Sequence, residues 1–350
     1  MITVSKFLAR GNNNLDAIRI FCAIMVIYGH SFFLAEKAGH RDIITQLFPF
    51  TYSGAVAVKV FFFISGMLVC TSLIRSQSPL SFIIGRSFRI SPAFIATVCI
   101  CALLIGPIMT NLSLSQYFSD KIVLAYIYKN ILMDIQYFLP GVFTDSIFKP
   151  AINGSLWTIP YEIGAYIALL SFFSITGMKN KNITNIMCIA IISSPLLSNG
   201  NDFITQTSNK DIYFLAPCFC LGVLYAVNSK ETKINHWVPM CFFALFYIIL
   251  NKDLSQLFFY FSVCSLFAFI ASTESIKKLK IKNDISYGIY LWGFVVQQIV
   301  YRVKPDLNIY VNISISIFIT IIIATISFIM IERPAMDLSI SIRKRLINNK

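Results

Sequence analysis

Long apolar runs recur along this 350-residue chain and constrain its fold more than any other feature. A helix crossing the hydrocarbon core of a bilayer needs about 20 mostly apolar residues, because its backbone polar groups must bond within the segment. Ten runs read as such spans: 15–35, 54–74, 90–110, 156–176, 183–197, 212–228, 237–250, 257–272, 285–301 and 309–331. The sixth to eighth are short, and polar flanks complete them. Residues 111–152 behave differently. Ala125 to Leu139 is apolar, but Lys129, Asp134 and Gln136 interrupt it, so 111–152 reads as an external, interfacial or re-entrant segment. The expected fold class is an all-α integral membrane protein: one transmembrane domain over 1–350, with no soluble domain at either end. The first fourteen residues are polar, and no small-residue cleavage site follows the first span, so that span is expected to stay as the first helix rather than leave as a signal peptide. Composition agrees. The chain is 57% hydrophobic and 13% charged, against roughly 45–50% and 25% in soluble domains. This excludes an ordinary soluble enzyme and a disordered chain.

The net charge is +13. In a soluble protein that excess would suggest nucleic acid; here it predicts membrane sidedness, since Lys and Arg are retained on the cytoplasmic side. With a cytoplasmic N-terminus, segments 1–14, 75–89, 177–182, 229–236, 273–284 and 332–350 hold 18 Lys/Arg, and the opposite side holds 9. The bias predicts ten spans with both termini cytoplasmic and no nucleic-acid partner. All nine cysteines fall in the apolar runs. Cys99/Cys101 and Cys218/Cys220 point about 200° apart on a helix, so neither pair predicts a metal site. There is no disulfide framework in the loops, no phosphate-binding glycine loop and no dinucleotide fingerprint.

Ionisable groups inside a membrane are costly and mark function by default. The runs contain Arg19 and His30 in the first, Lys59 in the second and Glu162 in the fourth. Arg19 and His30 are eleven residues apart, within about 20° of three full turns, so they share a helix face about 16 Å apart. With the N-terminus inside, Arg19 lies near the cytoplasmic end and His30 toward the outer one. His30, Lys59 and Glu162 are expected at similar depth in the outer half, where they could form one network. The competing reading for Arg19 and Lys59 is snorkelling to an interface. Arg86 and Arg89, at i and i+3, project to one side at the inner mouth of the third span. Paired guanidiniums suit phosphates; plain positive-inside charge is the alternative.

Six stretches, in order, resemble the membrane-bound acyltransferase family 3. Leu15-Asp16, Arg19 and Gly29-His30-Ser31 resemble its opening helix, and Phe61-Phe62 with Ser65-Gly66 its second. Arg86-Ser-Phe-Arg89 resembles its Arg-x-x-Arg, Ser155-Leu-Trp157 through Glu162 its Ser-Leu-Trp…Glu, Ser286-Tyr287-Gly-Ile-Tyr290-Leu-Trp292 its Ser-Tyr-x-x-Tyr-Leu-Trp, and Glu332-Arg333-Pro334 its closing motif. Where many members continue with His after the Trp, this chain has Gly293. The resemblance, closest to stand-alone members that O-acetylate bacterial surface polysaccharides such as O-antigen, implies a multi-pass protein of the bacterial cytoplasmic (inner) membrane. It implies transfer of an acyl group, expected to be acetyl from cytoplasmic acetyl-CoA, to a sugar hydroxyl of a surface polysaccharide or lipid-linked glycan.

Set on the residues, that chemistry predicts Arg86, Arg89 and Arg19 as the coenzyme side of the site, with no metal. An extended pantetheine arm of about 16–20 Å, the reach of five chain residues at ~3.5 Å each, matches the Arg19–His30 offset. His30 is the expected general base, Glu162 its orienting carboxylate, and Lys59, Ser155 or Trp157 the oxyanion donors. Ser155 is otherwise read as the cap of the fourth helix, and Trp157, Tyr287, Tyr290 and Trp292 as packing or interfacial anchors. Glu332 is expected to pair with a buried base. The competing classes are a secondary transporter or glycan exporter, whose charged residues would line a path, and a passive scaffold, which has no need of so many buried ions.

Overall fold

The computed structural model describes residues 1–9, 11–34, 41–144, 150–197, 210–279 and 281–348. Arg10, Lys37, Lys149, Lys280 and Lys350, counted above for sidedness, lie outside the described residues, as do residue 35 and 145–149 of the 111–152 segment. Each apolar run forms helix: α1 (Leu15–Leu34), α2 (Ser53–Ser76), α3 (Pro79–Met109), α4 (Gly154–Thr176), α5 (Lys181–Leu197), α6 (Leu215–Val227), α7 (Trp237–Ile248), α8 (Lys252–Ala271), α9 (Ser286–Val303) and α10 (Ile309–Leu346). By length and composition, α1, α2, α3, α4, α8 and α10 are able to cross a membrane. Asp211–Val227, which contains α6, and α7 are apolar but shorter. Gln297, Gln298 and Arg302 lower the hydropathy of α9.

Side chains set where helices begin. Asn14 Oδ1 accepts from Ala17 N at 3.1 Å and starts α1. Asn251 does the same for α8 through Leu254 N (3.0 Å), and Asn308 for α10 through Tyr310 N (2.9 Å). Two helices overrun their apolar runs. α3 starts at Pro79, eleven residues before the run at 90–110, and α10 continues to Leu346, fifteen beyond 331. Hydropathy ends at the membrane boundary, whereas backbone hydrogen bonding does not, so each helix extends past its apolar part. Within α3, Cys101–Ile105 is a turn of π-helix.

The chain divides into two compact units. The first comprises Met1–Cys22, Ala55–Pro79 and Glu162–Asp284. Its N-terminal Ile2–Thr3 pairs antiparallel with Lys233–Ile234. Asn14 Nδ2 donates to the carbonyls of Ile276 (2.9 Å) and Leu279 (2.7 Å), tying the start of α1 to the loop that ends at Asp284. A close backbone contact joins α2 to α6. A Cβ on Gly66 would lie 2.1 Å from the Phe219 carbonyl oxygen, and one on Gly222 would lie 2.1 Å from that of Phe63. Each helix thus lays a glycine on its neighbour's backbone, the packing that lets apolar helices associate without a hydrophobic driving force. Asn185 and Asn228 exchange hydrogen bonds (3.2 and 2.8 Å) between α5 and the end of α6. Nearby, Lys181 donates to the exposed Glu231 carboxylate at 2.6 Å and holds it below the usual carboxylate range.

The second unit comprises Ala23–Gly54, Leu80–Tyr161 and Ile285–Lys350. Its 111–152 segment contains two short helices, Leu114–Ser119 and Lys121–Ile131, and, among its described residues, takes part in the isolated antiparallel bridges Thr110–Val142 and Phe138–Ala151. Ser113 and Gln116 form a capping box at the first helix. Tyr117 then donates to the Ala102 carbonyl at 2.7 Å, docking the segment on the π-turn of α3. The interrupting Asp134 and Gln136 bond each other (3.1 Å), and Lys129 pairs with Asp134 at 3.4 Å.

The α2–α6 contact makes Gly222→Ala overpacked, with an expected loss of about 1–3 kcal/mol. Gly164→Ala on α4, where nothing lies within 4 Å, is expected to be neutral or stabilising by up to about 1 kcal/mol. Thermal unfolding of the detergent-solubilised variants checks this; equal midpoints would contradict the close approach.

Candidate active site

In the second unit, His30 stands on α1 with its ring edge-on to Phe294 of α9, at a centroid distance of 5.3 Å and an angle of 83°. Its Nδ1 is buried and has no hydrogen-bond partner among the described residues. Gln297 fixes the helix around it, donating to the Ile27 carbonyl (2.8 Å) and to Ser31 Oγ (2.6 Å), on either side of His30. Phe294 also lies against Gly154, where a Cβ would come within 2.8 Å of its ring. One phenyl ring therefore touches both the imidazole and the turn that opens α4.

That turn, a 3-10 helix over Gly154–Thr158, is held from α9. Tyr290 Oη donates to the Ser155 carbonyl at 2.9 Å and shares a hydrogen bond with Thr158 Oγ1 at 2.6 Å. Asn153 donates to the Leu291 carbonyl (2.8 Å) and accepts from Ser155 N (3.1 Å). This corrects the alternative reading of Ser155: the helix cap is Asn153, whose amide reaches the N–H two residues on. Ser155 Oγ is buried with no hydrogen-bond partner among the described residues. Trp157 is half-buried against the Tyr161 ring, at 6.1 Å. Gly293 packs on α1, where a Cβ would lie 2.7 Å from Ile27. A larger residue at 293 would have to displace the Ile27 side chain. Tyr290 is a clamp on the Ser-Leu-Trp turn rather than only an anchor. Trp292 Nε1 is buried without a hydrogen-bond partner.

Arg19, Glu162 and Lys59 belong to the first unit. Arg19 forms an ion pair with Asp284 and interacts electrostatically with Asp16, Glu162 and Tyr166. Glu162 accepts from Tyr166 Oη one helical turn on, and lies 3.5 Å from Ser65 Oγ; Tyr166 and Ser65 share a 2.6 Å hydrogen bond. Ser65 comes from the Ser-Gly of α2 and Glu162 from α4, so two motif residues meet through a tyrosine. Lys59 is 1% exposed, its ammonium 3.8 Å from the Asp211 carboxylate and 4.9 Å from the centroid of the Tyr260 ring. Asp284, Asp211, Tyr166 and Tyr260 were not singled out from sequence. Asp284 carried a detectable signal, an acid two residues before the Ser-Tyr motif.

Arg86 and Arg89 sit in the part of α3 that extends beyond its apolar run. Glu332, 1% exposed, pairs with Arg89 at 3.3 Å, so the base expected for it is present, though Arg89 itself is only partly buried. Arg89 also donates to Met336 Sδ at 3.5 Å. The two arginines thus differ: Arg89 is tied to α10, whereas Arg86 has no carboxylate within salt-bridge distance among the described residues. Tyr287 Oη donates to the Ile90 carbonyl at 3.1 Å, fastening α9 beside the motif.

The acyltransferase 3 profile, described as an acyltransferase domain, matches residues 12–332. The chain belongs to the acyltransferase 3 family. A Shigella phage Sf6 protein named O-acetyl transferase is 26% identical to this family member over 339 residues, covering 92% of this chain and 95% of that protein. A protein of Rhizobium leguminosarum bv. viciae named Nodulation protein 10 is 27% identical over 362 residues, covering 96% of each. No solved structure matches the chain. Family membership and the apolar helices together make it a multi-pass membrane acyltransferase.

Asp284→Ala would leave Arg19 short of its ion-pair partner. The expected destabilisation is about 1–3 kcal/mol, less than for a fully buried pair because both side chains retain some exposure. Unfolding midpoints of Asp284→Ala, Arg19→Leu and the double variant measure the coupling; additive effects would contradict the pairing.

Proposed function

We propose that this acyltransferase moves an acetyl group from cytoplasmic acetyl-CoA to a sugar hydroxyl of a bacterial surface polysaccharide or lipid-linked glycan, with His30 as general base. The observation that carries the reading is the buried, unpartnered Nδ1 of His30 on the helix that also carries Arg19. A buried polar nitrogen left without a partner is unfavourable, and it persists most readily where a substrate group completes it. The similarity to an O-acetyl transferase supports the reaction class, and the 18-to-9 charge bias supports ten spans with both termini cytoplasmic. In that topology Arg86 and Arg89 face the donor, and His30 lies toward the acceptor.

The chemistry follows from the side chains. His30 takes the proton of the acceptor hydroxyl as its oxygen attacks the thioester carbonyl. The tetrahedral oxyanion collapses, and the coenzyme thiolate leaves. Ser155 Oγ, whose buried hydroxyl is unengaged, and Trp157 Nε1 are the proposed oxyanion donors. Lys59 already faces Asp211, which suits holding that segment better than meeting an oxyanion. Glu162 acts as a positioning residue through Tyr166 and Ser65. Arg19, held by Asp284, supplies a fixed positive charge along the donor path.

The test is transfer of labelled acetyl from acetyl-CoA to a glycan acceptor by protein reconstituted in vesicles. His30→Ala, with an unchanged unfolding midpoint, is expected to lose at least about 100-fold in rate. Full activity in that variant would remove His30 from the chemistry, and the absence of any acetyl-CoA turnover by the wild type would favour a transporter.

A further inference from the structure

The extended ends of α3 and α10 pack along one another in opposite directions. Arg89 meets Glu332 and Met336, and one turn toward the start of α3, Gly85 meets Arg343. On α10 the residues Glu332, Met336, Ser339 and Arg343 follow steps of four, three and four, a single helix face. Arg343 lies over the α3 backbone, its Nη1 3.3 Å from the point where a Cβ on Gly85 would stand. Its Nε donates to the Ser339 carbonyl at 3.3 Å, which fixes the guanidinium against its own helix.

The charges along this seam are unequal. Arg89 is neutralised by a carboxylate; Arg343 and Arg86 have none within salt-bridge distance among the described residues. Arg86 follows Gly85 on α3, so the Arg343 guanidinium lies against the residue next to it. A guanidinium has five donors in a fixed fork; Nε of Arg343 is committed to Ser339, and its Nη donors are open. Two guanidiniums on facing helices, neither with an acid partner among the described residues, suit a polyanion, and guanidiniums match phosphate oxygens two at a time. We propose that Arg343, laid across Gly85 beside Arg86, completes a binding site for a phosphate-bearing ligand. In the acetyl-CoA reading, on which this inference rests and which it deepens, the ligand is the phosphorylated end of the acyl-CoA donor. Arg343 is thus a ligand residue of the C-terminal helix, beyond the last family motif, and not only a marker of sidedness. Gly85 is complementary, because a branched side chain such as valine there would crowd the guanidinium.

Two kinds of molecule bring phosphate to this place, the coenzyme and an anionic phospholipid headgroup. Coenzyme A binding is therefore titrated calorimetrically on wild type, Arg343→Ala, Arg343→Lys, Gly85→Val, Arg86→Ala and Lys344→Ala in nanodiscs of zwitterionic lipid. Capture of phosphatidylglycerol vesicles by detergent-solubilised protein is measured in parallel. Arg343→Ala and Gly85→Val are expected to weaken coenzyme A about tenfold, the loss of one charge-assisted contact. Arg343→Lys is expected to recover part of it. Exposed Lys344 lies off the seam, and Lys344→Ala is expected to bind as wild type, so a general charge effect is separated from the site. Loss of vesicle capture alone would assign the site to lipid phosphate. Unchanged binding of both ligands by Arg343→Ala would overturn the inference, while weakened binding by Arg86→Ala would show the acetyl-CoA reading still standing. Wild type that binds no coenzyme A would instead remove that reading.

Discussion

An ionised side chain inside a bilayer must be neutralised, bonded or led to water, and the rest of this structure is arranged around that requirement. Arg19 has Asp284, Lys59 has Asp211 and Arg89 has Glu332. In two of these pairs the partners are more than 200 residues apart, so the pairs fasten distant parts of the chain within each compact unit. The glycine contacts between α2 and α6 act in the same way by packing instead of charge. His30 departs from the rule: it is held by an aromatic edge and by Gln297 acting on its neighbours, while its own Nδ1 stays unengaged. The paired ions hold the fold, and the open His30 nitrogen is what the proposed role as a base uses.

The helical content was readable because lipid imposes a single demand on the backbone, and apolar runs of helix length satisfy it. Crossing ability was less readable. α6 and α7 are apolar but short, and α9 carries paired glutamines that serve contacts within the second unit, Gln297 to α1 and Gln298 to the Ala151 carbonyl. The ends of α3 and α10 were misjudged because hydropathy reports the solvent and not the hydrogen-bond ladder. Those extensions matter, since they carry the Arg89–Glu332 pair and the Arg343–Gly85 contact.

The site was visible as residue types and motifs, not as partners. Sequence pointed to Arg19, Glu162 and Lys59, but not to Asp284, Tyr166 or Asp211, whose places depend on contacts across long separations. Asn153 caps α4 where Ser155 was the expected cap, because an amide reaching two residues ahead leaves the serine hydroxyl open. Tyr290, one of several aromatics in its motif, proved to be a polar clamp on the Ser-Leu-Trp turn. Phe294 and Gly154 have no chemistry of their own and gave no signal, yet together they set His30 beside that turn.

On the proposed reading, this membrane acyltransferase adds acetyl groups to a surface glycan. The most direct measurement is the mass spectrum of that glycan from cells with and without the gene. The account predicts a species heavier by one acetyl group per modified sugar only when the gene is present, and lost on mild alkaline treatment as an ester should be. Identical spectra from cells that express the protein in their membranes would contradict it.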